Sequence, residues 1–331
     1  MMNFCTLFDS YYIIKGLALY LSLERVSDNF HLYVMAFDKD CYVKLQSYGF
    51  KHMTVELVDD FETPELLAVK PTRTKAEYCW TCGPSVIWHF LKKYNLSDIT
   101  YLDSDLYFIG NPKIAFDEIG ERSIAITKQG ISEKSEHLYG KYCVQYMFFR
   151  NDEEGCKALA WWRDSCIEWC FQRFEDGKYA DQKYLDSFPV LFKNLCVIKN
   201  YGVGIAPWNM HKYEYREKSV CYQGEEYPSV FVHMHGLKLS VMEKKIKVCS
   251  YDDIITEKDK LFFYNSYVEL LVHILNTYFG KHVENFEVKG VSKSRFYYYK
   301  LRAALRDVKL VQFFYFKVFK RTYQGHGTII Q

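Results

Sequence analysis

Short continuous apolar blocks alternate along the chain with stretches in which apolar residues return at helical spacing, the pattern of repeated βα units. Asn3 to Phe8 reads as a strand and Tyr11 to Leu23 as the helix after it; Phe30 to Phe37, Asp38 to Tyr48 and Met53 to Val58 continue as strand, helix and strand. Gly83-Pro84 reads as the opening of a helix running to about Tyr94, because proline is tolerated in a first helical turn. A strand then ends at Asp103. Further strands are expected at Ser123 to Thr127, Tyr142 to Phe149 and Leu195 to Lys199, with a helix from about Asp152 to Phe174. Strands buried on both faces and joined by helices imply an α/β fold, with a mostly parallel central sheet flanked by helices, Rossmann-like and doubly wound in type.

The most informative segment is Ile99-Thr100-Tyr101-Leu102-Asp103-Ser104-Asp105, where an apolar strand runs into two acids one residue apart. Parallel sheets open toward ligands at the carboxyl ends of their strands. Paired carboxylates there suit Mn2+ or Mg2+, hard cations that keep positions open for substrate phosphates. The bland alternative is that Asp103 and Asp105 only solvate a strand end or cap a turn.

Composition adds limits. With 331 residues, 49% of them hydrophobic and 18% aromatic, the chain has enough apolar material for a large core. No apolar run approaches the roughly 18 residues of a membrane span, and no secretory signal is visible at Met1-Met2-Asn3-Phe4-Cys5. The eleven cysteines sit in apolar settings and read as reduced thiols of a cytoplasmic protein, although Cys79/Cys82 and Cys166/Cys170 have spacings a zinc site could use. The net charge of +2 conceals an asymmetry. Residues 288–331 carry ten Lys/Arg against the single acid Asp307, interleaved with aromatics. Such a segment suits an anionic membrane surface, equally a basic helix packed on its own domain; nothing accompanies it that would mark a nucleic-acid binder.

Taken together, the motifs resemble those of GT-A fold glycosyltransferases, in the nucleotide-diphospho-sugar transferase superfamily that includes the glycogenin-like retaining enzymes. Thr6-Leu7-Phe8-Asp9-Ser10-Tyr11-Tyr12 resembles their nucleotide-gripping start and Asp103-Ser104-Asp105 their DxD. Arg73-Thr74-Lys75-Ala76-Glu77-Tyr78 precedes the helix before the metal strand, Asp181-Gln182 matches a downstream Asp-Gln motif, and His233-Met234-His235-Gly236-Leu237-Lys238 resembles a His-x-x-Gly…Lys closing motif. The resemblance extends to uncharacterised bacterial members carrying Trp161-Trp162-Arg163 and Ala206-Pro207-Trp208-Asn209. Two departures stand out. Leu237 alone separates Gly236 from Lys238, and Tyr142-Cys143-Val144 occupies the strand where such enzymes tend to carry Asn.

The resemblance implies a transferase domain over residues 1–245 and a helical, basic and aromatic extension over 246–331. It implies a metal-dependent hexosyltransferase that moves a sugar from a UDP-linked donor to a glycan or lipid-linked acceptor, with retention, in polysaccharide or lipopolysaccharide synthesis. A cytoplasmic protein at the inner face of the membrane would fit. Asp103, Asp105 and His233, with His235 as the alternative, would hold the metal. Thr6, Asp9, Tyr11, Tyr12, Arg73, Ser104, Gly236 and Lys238 would bind the nucleotide sugar. Asp181 and Gln182 would stand beside the anomeric carbon. Plainer roles remain open: core packing for Tyr11 and Tyr12, a helix cap for Asp181, a structural histidine at either position. The alternative function is a catalytically degenerate protein that binds a sugar nucleotide without turnover.

Overall fold

The computed structural model describes residues 1–242, 245–250, 255–280 and 328–329, with side chains through Leu237 and from Ile255 to Gly280. Two compact units result: Met1–Ile205 with Lys212–His233, and Ala206–His211 with the described residues from Met234 onward.

The first unit is built on a seven-stranded sheet. Its strands are β1 (Met2–Phe8), β2 (Phe30–Ala36), β3 (Met53–Leu57), β4 (Asp98–Leu102), β6 (Ile124–Lys128), β7 (Tyr142–Arg150) and β8 (Leu195–Ile198), in the order β3-β2-β1-β4-β7-β6-β8. Only β7 runs against its neighbours; the other pairings are parallel. The helices are α1 (Ile13–Val26), α2 (Lys39–Tyr48), α3 (Pro64–Val69), α4 (Lys75–Lys93), α5 (Lys113–Ile119), α6 (Glu133–Tyr139) and α7 (Glu153–Glu168). Every residue of β1 is buried, Asn3 and Thr6 included, as a strand covered on both faces requires. The expected mostly parallel α/β sheet is therefore the one found.

Two helix boundaries differ from expectation. The helix expected to open at Pro84 begins at Lys75 and carries Pro84 inside it. Its start is set by a capping box: Thr74 Oγ1 accepts from Glu77 N at 3.3 Å, and Glu77 Oε2 accepts from Thr74 N at 2.8 Å. The helix expected to reach Phe174 stops at Glu168, where Trp169 turns extended (φ −148°, ψ 121°). Arg73 Nη2 supplies donors to the last carbonyls, those of Ile167 at 3.3 Å and Glu168 at 3.5 Å.

A second, three-stranded sheet lies in the same unit. There β13 (Phe231–His233) pairs antiparallel with β5 (Leu106–Phe108) and parallel with β9 (Val203–Ile205). A meander of β10 (Glu214–Tyr215), β11 (Ser219–Tyr222) and β12 (Glu225–Pro228) leads into β13. In the other unit, β14 (Leu237–Met242) pairs with β15 (Lys245–Ser250), which also pairs with β16 (Thr328–Ile329), and a helix spans Asn265–Ile274. Of the extension expected over 246–331, the start is thus strand and 265–274 is helix; the basic, aromatic stretch lies outside the described residues apart from Thr328–Ile329. Among the described residues no helix is long and apolar enough to cross a membrane.

Trp162 ties the core to the downstream loop. It is fully buried, stacks on Phe149 with ring centroids 6.2 Å apart, meets Phe188 edge-on, and donates from Nε1 to the Asp181 carbonyl at 3.0 Å. Trp162→Ala is expected to lower stability by about 3–5 kcal/mol in urea denaturation, the range for a buried aromatic reduced to Ala; a loss below about 1 kcal/mol would show that the loop is held without it.

Candidate active site

The two acids leave the sheet on a turn. Asp103 N donates to the Gln145 carbonyl at 3.1 Å, extending the β4–β7 ladder by one bond, and Leu106 N donates back to the Asp103 carbonyl at 3.2 Å. Strand β5 starts at once, and its pairing with β13 sets His233 opposite Leu106. Backbone register thus carries a distant imidazole to the acids: His233 Nε2 lies 3.0 Å from Asp105 Oδ1 and 3.8 Å from Asp103 Oδ2.

The imidazole is oriented from behind. Its Nδ1 lies 2.9 Å from Gln145 Oε1, while Gln145 Nε2 donates to Thr127 Oγ1 at 3.3 Å. With Nε2 facing two carboxylates and the imidazole held charged, both ring nitrogens donate, so Nδ1 carries a proton toward Oε1 and the amide nitrogen is left to donate to Thr127 Oγ1. Gln145 is fully buried. Space for it comes from Gly204, the extra residue of an irregular β9–β13 register, whose φ is +118° and whose added Cβ would lie 2.6 Å from Gln145 Nε2.

A lysine completes the cluster. Lys15 Nζ donates to Asp105 Oδ2 at 3.3 Å, and the side chains of Lys15 and Asp105 are each only 11% exposed. The ammonium stands 4.6 Å from the centre of the Tyr12 ring. Next to it, Gly16 lets α1 close on β1, since a Cβ there would sit 2.3 Å from the Phe8 ring.

Burial dominates the electrostatics of the cluster. Burial raises the Asp103 carboxyl to about 6, with His233 pulling it down and Asp105 pushing it up. Burial, with Asp103 beside it, raises the Asp181 carboxyl to about 8. For His233 burial acts to lower the pKa, but the carboxylates outweigh it and hold the imidazole well above its usual value. The backbone before Asp181 is strained too, because Ala180 has a φ of +47°.

The remaining expected residues divide. Asp9 ends β1, accepts from Tyr12 N at 3.0 Å and pairs with Lys75 at the start of α4. Tyr11 is 37% exposed and its ring centroid lies 5.6 Å from that of Tyr12. Burial and the Asp105 charge raise the Tyr12 phenol, which places it near the acids. Ser104 lies on the turn between Asp103 and Asp105. Asp181 is buried and is no helix cap, since the short turn Lys183–Ser187 has no side-chain cap. Gln182 Nε2 donates to Gln129 Oε1 at 3.0 Å and to the Tyr139 carbonyl at 2.9 Å.

Two more of the expected residues lie in the framework around the site. Thr6 is fully buried in β1. Arg73 is committed to the end of α7 and stacks 3.8 Å from the Phe171 ring centroid. In the other unit, His235 is exposed with its ring 5.4 Å from Trp208, Gly236 adopts φ +71°, and the Lys238 side chain lies outside the described residues. Of the two candidate histidines, His233 is the one in the unit that holds the acids. Lys15, Gln145 and Lys75 were not among the expected site residues. Each of the first two is a single strongly polar residue in an apolar run, Ile13-Ile14-Lys15-Gly16-Leu17 and Val144-Gln145-Tyr146-Met147, and that isolation was the available signal. The described cysteines are free thiols.

Among the described residues no group of three or more His, Cys, Asp or Glu stands ready as a metal cage. The trio is instead closed on itself, with Asp105 bonded to His233 and Lys15. Its chemistry nevertheless fits a hard divalent ion. Two carboxylates and an Nε2 aimed at them form an O,O,N donor set, and the Nδ1 contact to Gln145 is the support a metal-ligating imidazole uses.

No family model matches the sequence. The chain is 31% identical over 272 residues to the uncharacterized protein YfnD of Bacillus subtilis (strain 168), covering 80% of this chain and 87% of YfnD. It is 30% identical over 284 residues to the uncharacterized protein YfnF of the same organism, covering 82% and 92%. The chain belongs to the family of these two proteins. Among solved structures, galactosyltransferase LgtC in complex with donor and acceptor sugar analogs superposes with a TM-score of 0.55 at 12% identity, over 82% of this chain and 96% of LgtC. The bifunctional glycosyltransferase WbbM gives 0.50 at 11% identity, over 86% of this chain and 51% of WbbM. The fold is accordingly the GT-A fold of nucleotide-sugar transferases.

Gln145→Leu leaves the buried His233 Nδ1–H without its acceptor and is expected to cost about 1–3 kcal/mol of stability. It should also shift the His233 ring ¹⁵N resonances. Gly204→Ala, which crowds the same amide, should shift them in the same sense; unchanged resonances in both variants would contradict the assigned orientation.

Proposed function

We propose that the protein is a metal-dependent glycosyltransferase that moves a sugar from a nucleotide-diphosphate donor, with UDP as the nucleotide, to a glycan or lipid-linked acceptor with retention. The observation that supports this reading is the convergence of Asp103, Asp105 and His233 at the carboxyl end of β4 in a GT-A fold. LgtC was crystallised with donor and acceptor sugar analogs, and this chain is read as taking the same two classes of molecule.

Asp103, Asp105 and His233 would hold Mn2+ or Mg2+, which when bound neutralises the charge that develops on a departing diphosphate. His233 would offer Nε2, the nitrogen that now faces Asp105, while Gln145 holds the ring from Nδ1. Asp9, Tyr11 and Tyr12 contact base and ribose, and Lys75, paired with Asp9, joins them. Ser104 lies between the acids, and by motif resemblance alone Gly236 and Lys238 would serve the diphosphate. Asp181 and Gln182 face the anomeric carbon, where an oxocarbenium-like centre is stabilised by oxygen. Residues 1–245 form the transferase domain; 246–331 form an extension whose basic end, 288–331, contacts an anionic membrane surface on the cytoplasmic side.

The test is a screen of sugar nucleotides for Mn2+-dependent hydrolysis. One UDP-sugar should be turned over, a chelator should stop it, and Asp103→Ala or Asp105→Ala should lower the rate by about 10²–10³ or more. Donor binding in calorimetry with no turnover under any condition would contradict the reading and favour a degenerate binder. Because burial pushes the Asp103 carboxyl up to about 6, protons compete with the ion below that pH. Mn2+ should therefore raise the melting temperature more at pH 7.5 than at pH 5, and an equal or larger rise at pH 5 would contradict it.

A further inference from the structure

We propose that Lys15 is a resident counter-cation for Asp105 that makes binding of a divalent ion depend on the donor's diphosphate. The inference rests on the metal-dependent reading above. Both oxygens of Asp105 are engaged by donors, Oδ1 by His233 Nε2 at 3.0 Å and Oδ2 by Lys15 Nζ at 3.3 Å. A buried ammonium needs an anion beside it, and the Tyr12 ring, 4.6 Å away, confines this one against the carboxylate. Its backbone has little freedom, because Gly16 draws α1 onto β1.

An ion arriving alone on Asp105 would stand within a few ångströms of this ammonium. Like charges repel strongly in a partly dehydrated site, so the ion binds weakly on its own. A diphosphate changes the arrangement by offering the ammonium a second anion. Lys15 turns from Asp105 Oδ2 to a phosphate oxygen, and the vacated carboxylate oxygen takes the ion. Metal and nucleoside diphosphate then bind with positive coupling, and the coupling is reciprocal. Lys15 is in this sense a positioning residue that acts through Asp105. Arg73, by contrast, has its guanidinium engaged at the end of α7.

The experiment measures Mn2+ affinity by electron paramagnetic resonance of the free ion, with and without UDP, for the full chain and for Lys15→Met, Lys15→Gln and Lys15→Arg. Without UDP, the Met variant should bind Mn2+ about tenfold tighter than the unaltered protein, since the repelling charge is gone. UDP should strengthen Mn2+ binding by about tenfold or more in the unaltered protein and in Lys15→Arg, and by only a small factor in Lys15→Met. Lys15→Gln, which keeps a donor for Asp105 without the charge, should behave as the Met variant does and serves in its place if that variant does not fold. Equal or weaker Mn2+ binding by the folded, neutral variants, or an Arg variant that matches them, would overturn the proposal. No Mn2+ binding by the unaltered protein, even with UDP, would instead overturn the metal-dependent reading beneath it.

Discussion

A single backbone register carries the site. The antiparallel match of Leu106 with His233, together with Tyr107 with Val232 and Phe108 with Phe231, is what brings an imidazole to two acids far earlier in the chain. A slip by one residue would turn every β13 side chain to the opposite face and remove the imidazole from the cluster. Aromatic packing opposes such a slip. Phe231 stacks on Tyr146, with centroids 5.8 Å apart and planes 13° apart, and its ring centroid lies 5.4 Å from that of Phe108. Sheet geometry, core packing and site geometry are therefore one constraint, and the Asp103–Leu106 turn links them.

Within that frame the charges are compensated unevenly. His233 and Lys15 divide the two oxygens of Asp105, while Asp103 keeps 28% of its side chain exposed and faces the partly solvated side. Buried acids raised toward neutral pH are poorly compensated, and the compensation present comes from side chains that can be exchanged for an ion or a phosphate. Gln145 and Gly204 do not take part in that exchange; they hold the ring while its outward nitrogen changes partners. Rigid support behind exchangeable charge is the arrangement a site needs if its ligands arrive together.

Much of this was legible in the amino-acid order, and the reasons differ from residue to residue. Strands β1, β2 and β4 are mostly apolar because both faces are covered, and Asp103 and Asp105 are conspicuous because they follow such a stretch at its end. His233 was reached through motif resemblance, since nothing local at 233 announces an acid partner. The start of α4 was misplaced because a proline rule was weighed over the Thr74–Glu77 capping box. The end of α7 was not legible at all, being set by Arg73 from another part of the chain. Lys15 and Gln145 were missed for a related reason: an isolated polar residue in an apolar run signals a buried partner but does not say which one, and both partners are non-local.

The most direct test of the account is pulsed electron–nuclear resonance of Mn2+ and UDP bound to protein labelled with ¹⁵N-histidine. One imidazole nitrogen should couple to the manganese, and the coupling should persist in His235→Ala and vanish in His233→Ala. Manganese bound with no histidine nitrogen coupling, or with coupling that disappears only in His235→Ala, would contradict the geometry on which the account is built.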